Sequence, residues 1–180
     1  MPEDKQSQTE KIHDAIQKAA GELFDFAVDR QDVKWLMERL HPEADINRTT
    51  VEYELQALKI VTVGWSVAYC LETSPLKQPL SESYWLRVRD FSNGISEAAK
   101  YMAGTDIDYF DILKTRLDMY VQTLSESGEK EEPASVIGPE FARICGNEQD
   151  LFTFMTGSKM FMSSSGRVRE YLEKTDFQPV

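Results

Sequence analysis

Histidine and cysteine are both scarce in this chain, with two of each among 180 residues. A zinc centre needs three or four His, Cys or carboxylate ligands, and neither Cys70 nor Cys145 has a second cysteine at metal-ligand spacing. Two cysteines so far apart, each in an apolar stretch, read as free thiols of a reducing compartment; a single bridge between them stays open. Nucleophiles are equally short of a base. Ser163, Ser164 and Ser165 have no histidine close in sequence, and Cys145 falls toward a helix C-terminus, where the dipole disfavours a thiolate. The nine glycines never take the spacing of a phosphate-cradling or dinucleotide-binding loop. Long apolar runs are missing as well. The best, Leu58 to Leu71, is broken by Lys59 and is too short to span a bilayer, and Met1 to Glu10 hold no apolar signal core. A cytoplasmic location is the expectation.

Positive charge is the other shortage. Twenty basic residues face 31 acidic ones, a net charge of −11. Such a surface repels phosphate backbones and anionic membranes, so neither nucleic acid nor membrane is expected as a partner. A protein partner, favoured if basic, fits better, although solubility alone also accounts for acidity.

What is present is helical periodicity in a chain the size of one domain. Residues 1–7 read as a flexible N-terminal tail, and residues 8–180 as a single all-helical domain. Ile12, Ile16, Ala19, Ala20, Leu23, Phe26 and Ala27 recur at steps of three and four, one apolar helical stripe. A break is expected at Asp29 or Arg30, then a short helix with Val33, Leu36, Met37 and Leu40 on one face, stopped before Pro42. Thr49 with Glu52 has the spacing of a capping box and opens the longest element. From Leu58 onward that element is apolar on every face, as a central helix should be. Residues 60–63 also have strand propensity; helix is favoured by the periodicity on either side. Pro75 and Pro79 mark a loop. A helix with Tyr84, Val88, Phe91, Ile95 and Met102 follows, closed near Gly104. Next comes one with Phe110, Leu113, Leu117, Tyr120 and Leu124. Residues 125–138 read as an internal linker loop, with Gly138-Pro139 opening a short helix and Asn147 capping the last segment. Gly157 and the run Ser163 to Gly166 are expected to divide that segment. The architecture predicted is an all-α, single-domain bundle of six to eight helices around a buried central one.

Four patterns carry chemistry worth weighing. His13-Asp14 is a metal-binding dipeptide in form, but the further ligands it needs are missing, so an exposed helix position is expected. Asp108 and Asp111 share a helix face and could hold magnesium in an all-α hydrolase, with Glu148 and Asp150 as the facing set. The plainer reading is that carboxylates in a first turn favour the helix dipole. Arg87, Arg89, Arg167 and Arg169 are spaced by two, so neither pair shares a face as a phosphate clamp. Finally, Leu151 to Met162 is rich in Phe and Met, residues that make adaptable surfaces as well as cores. Phe152, Phe161 and Met162 are the candidate partner contacts there. Trp65, Tyr69, Phe154 and Met155 are the candidate lining of an apolar pocket between the central helix and this segment.

Three functional readings follow. The leading one is a non-enzymatic interaction or regulatory protein presenting an acidic helical surface, with a homodimer left open. The second is a small apolar ligand-binding bundle, and the third a magnesium-dependent hydrolase on Asp108 and Asp111. No cofactor is implied. Sites assembled from distant residues leave no local signature, so the sequence does not choose among these by motif.

Overall fold

The computed structural model describes residues 2–42, 46–127 and 132–175. Among them are seven helices and no strand: α1 (Pro2–Val28), α2 (Gln31–Met37), α3 (Arg48–Cys70), α4 (Lys77–Ala103), α5 (Tyr109–Glu126), α6 (Pro133–Ile144) and α7 (Leu151–Lys174). The helix α3 packs against each of the other six. Its apolar residues make this possible: Val51, Leu55, Leu58, Ile60, Val61, Val63 and Val67 point in all directions and all are buried. The β-branched run 60–63 is helical throughout, because burial on every side outweighs a strand propensity that mainly measures fit to a pleated surface. Tyr84 of α4 reinforces this segment by donating its buried hydroxyl to the Ile60 carbonyl at 2.8 Å.

Two charged residues enter this core on α3, and each is answered by a partner on another helix. Glu54 takes a two-pronged bond from Arg116 of α5, with Nε to Oε2 and Nη2 to Oε1 both at 2.8 Å. Lys59, fully buried, pairs with Asp32 of α2 at 2.9 Å and donates to the Asp29 carbonyl at 2.8 Å. Gln56, about one turn before Lys59 on α3, donates to the Ala27 carbonyl of α1. The end of α1 and the start of α2 are thus held by side chains of α3, which satisfy carbonyls that a helix terminus leaves open.

Several boundaries differ from the sequence expectation. Helix α1 begins at Pro2, so residues 2–7 are helical rather than a tail; proline is tolerated in a first turn, where its missing N–H has no partner to lose. The cap of α3 is Asn47, whose side chain accepts from Thr50 N, in place of the Thr49 capping box. Helix α4 opens at Lys77, with Pro79 in its first turn, and passes through Gly94 without a break. It ends at Gly104, left-handed at φ 64°. Helix α6 starts at Pro133, with Pro139 inside it, so residues 133–138 are not linker; residues 128–131 of the expected linker lie outside the described residues. Asp150, not Asn147, caps α7. That last helix is continuous through Gly157 and Ser163–Gly166, against the expected division. Its glycine is a packing device: a Cβ on Gly157 would lie 2.6 Å from the Phe141 ring of α6. The serines are accommodated too, Ser163 and Ser165 donating to carbonyls three residues back.

Candidate functional site

Helix α7 has an inner and an outer face. Thr153, Met160, Phe161, Ser164, Val168 and Leu172 turn inward and are buried. The outer face carries Leu151, Phe152, Met155 and Met162, exposed by 41% (Met155) to 65% (Leu151). Leu151, Met155, Lys159 and Met162 follow steps of four, four and three, so they form one stripe, with Ser163 beside it. Helix α2 borders it. Trp35, itself 49% exposed, lines a groove of about 700 Å³ together with Leu36, Met162, Lys159, Asp32 and Arg167. At the far end of this border the His41 and Phe152 rings lie 5.8 Å apart. Arg39 stacks its guanidinium 3.6 Å over the Trp35 ring.

A second groove, of about 520 Å³, lies on the other side of Met162, between α3, the start of α6 and α7. Trp65 and Tyr69 stack at 4.8 Å with planes 17° apart, and Phe161 closes on Trp65 at 5.5 Å. Ser66 lines the same groove, only 1% exposed, and its hydroxyl has no hydrogen-bond partner among the described residues. Thr62, one turn earlier, and Tyr120 also have unpartnered hydroxyls. Both border a void of about 10 Å³ behind Trp65 and Phe161, room for about one water molecule. Cys70 and Arg169 stand at one rim and Glu132 at another. Burial raises the pKa of the Cys70 thiol, with Arg169 opposing.

The residues singled out from sequence are distributed as follows. Trp65 and Tyr69 do share a groove, but with Phe161 and Met162 in place of Phe154 and Met155. Phe154 is half-buried against α6, beside Gly138, and Met155 is on the outer stripe, so the four-residue pocket does not assemble. The helix turn decides this: positions 154 and 155 point about 100° apart. Of the expected partner contacts, Phe152 and Met162 are exposed, whereas Phe161 is 5% exposed and forms the groove wall. Asp108 is the cap of α5, its Oδ1 accepting from Asp111 N at 2.9 Å, and lies just before the helix rather than in its first turn. Asp111 pairs with Lys114 at 3.1 Å. No group of three or more metal-ligating side chains gathers among the described residues. His13 is exposed on α1. Cys70 and Cys145 are both free thiols; burial, aided by Glu54, pushes the Cys145 thiol up to about 12. Arg167 reaches Asp32 at 3.8 Å.

Trp35, Lys159 and Arg167 were not anticipated as site residues. A signal was present: residues 151–169 are the longest acid-free run in a chain otherwise dense with carboxylates. No helix among the described residues is long and apolar enough to cross a membrane. Comparison with known proteins adds nothing to the geometry, since no family model, no curated protein and no solved structure matches this chain.

Proposed function

We propose that this chain is a non-enzymatic interaction protein whose docking surface is the outer face of α2 and α7. One observation carries the reading: Trp35, Leu151, Phe152, Met155 and Met162, five large apolar side chains, are exposed along a single face. Solitary exposed apolar residues are ordinary, whereas an aligned set bordered by polar groups marks a binding surface. The residue types fit too, because Trp, Phe, Met and Arg are enriched in protein interfaces. Methionine lets such a surface remould to its partner. The test is affinity capture with wild type and with a Trp35→Ala/Met162→Ala double variant. A partner retained by the wild type and lost from the double variant, with unchanged helix content, supports the reading. Equal capture by both removes this face from the account.

A second reading is favoured by the Ser66 hydroxyl. An unpaired buried hydroxyl costs about 1–3 kcal/mol, and here it borders an aromatic groove of a size that holds small ligands. A flat, mostly apolar molecule with one hydrogen-bonding group would suit it. Native mass spectrometry of the purified chain reads this directly, as an added mass that Trp65→Ala removes.

A further inference from the structure

We infer that the partner of the α2–α7 face is an acidic amphipathic helix, an assignment that rests on the docking reading above and names the chemistry of the same site. The chain as a whole is strongly negative, which taken alone favours a basic partner. The local charge has the opposite sign. Between Asp150 and Glu170, α7 carries Lys159, Arg167 and Arg169 and no acid. Lys159 and Arg167 border the groove itself, and Arg39 lies on its Trp35 wall. The one carboxylate in the lining, Asp32, is already engaged by the buried Lys59 at 2.9 Å. The apolar floor is therefore rimmed by three cations, Lys159, Arg167 and Arg39, against one carboxylate that Lys59 and Arg167 share, and acidic side chains flanking an apolar stripe are the complement of that excess.

Shape selects a helix. Arg167 meets Asp32 at one end and Phe152 meets His41 at the other, so α2 and the residues after it run antiparallel to α7. From Leu151 to Arg167 the outer face of α7 is roughly 24 Å long at 1.5 Å per residue, and the groove occupies its Lys159–Arg167 half. A partner helix of about 16 residues, four to five turns, matches that length. Its apolar anchors would fall at steps of three and four, the mode in which helices bind grooves.

The probe is a set of three synthetic peptides of about 16 residues. They share one leucine stripe, and the flanking positions are all Glu, all Gln or all Lys. Each is titrated into the full chain by fluorescence anisotropy, at about 50 and about 300 mM salt. The Glu peptide should bind at least about ten-fold tighter than the Lys peptide, and this advantage should shrink at the higher salt. Lys159→Glu should abolish the preference, while Trp35→Ala should weaken the Glu and Gln peptides alike. Tyr69→Ala, in the other groove, should change neither. Binding of the Gln or Lys peptide as tightly as the Glu peptide overturns the acidic assignment and leaves the docking face standing. Failure of all three peptides overturns both. Two other occupants are read in parallel, and either overturns the inference: a concentration-dependent dimer dissociated by Trp35→Ala, and sedimentation with vesicles of mixed phosphatidylcholine and phosphatidylserine that Trp35→Ala prevents.

Discussion

Replacing Arg116 by methionine tests how the charged interior is held. Glu54 is 5% exposed at its side chain and Arg116 22%, so the arginine contacts solvent while the carboxylate does not. Removing Arg116 strands the buried partner beside Tyr120 and Cys145, both of whose pKa values are raised by burial and by Glu54. Breaking a buried pair from one side costs about 3–5 kcal/mol; the part exposure of Arg116 places this case near the lower end, about 3 kcal/mol. For a domain of this size that corresponds to a fall in Tm of roughly 6–12 °C. Glu54→Met is the milder change, since the arginine left behind can extend to water. The double variant Glu54→Met/Arg116→Met leaves no orphaned charge and keeps most of the volume, so it should recover to within about 1 kcal/mol of wild type. Urea unfolding at pH 7 of the four proteins closes the cycle. A single Arg116→Met variant as stable as wild type, or a double variant less stable than either single one, would show that the pair is not held as described.

Three further outcomes follow from particular contacts. Gly157→Ala should destabilise by about 1–3 kcal/mol through overpacking against Phe141, whereas Gly94→Ala, with nothing within 4 Å of the added Cβ, should stabilise by up to about 1 kcal/mol; denaturant midpoints of the two variants check the opposite signs. Met160→Ala, in the core, should cost about 2–5 kcal/mol, while Met162→Ala on the outer stripe should stay within about 0.5 kcal/mol, as read by thermal unfolding. Stability should decline as pH rises above 9, the ordinary value of a free thiol. The unfolded chain then releases protons from Cys145 and the buried tyrosines that the folded chain retains, and the loss continues until the folded thiol itself ionises at about 12. The stability difference between wild type and Cys145→Ala should be constant below pH 9 and move in the variant's favour from pH 9 upward.

The apolar stripes made the helices legible, because a period of three to four reports directly on which face is buried. The central position of α3 was legible in the same way, since residues 58–71 are apolar on every face. Caps were less so. Asn47 and Asp150 compete with Thr49 and Asn147, and only the path of the preceding loop selects between them. Gly157 and the serines of α7 read as a break because helix propensity is local, while the packing of Gly157 against Phe141 of α6 is not. The charged pairs were opaque: Lys59 is an interruption in sequence, yet it is fully buried through contacts with residues about thirty positions away. The candidate site was legible only in composition. Met155, Met160 and Met162 are alike as residues, and exposure separates them only once α7 has been laid against α3 and α6. The acid-free stretch of α7 was visible throughout, but its meaning depends on which side of the helix faces water.

Hydrogen exchange of the full chain with and without the Glu-flanked peptide tests the central claim most directly. Amide protection gained along α2, residues 38–42 and the outer face of α7 between Leu151 and Arg167 is the predicted result. Protection gained instead around Trp65 to Cys70 and the start of α6, or nowhere, would contradict the assignment of this face.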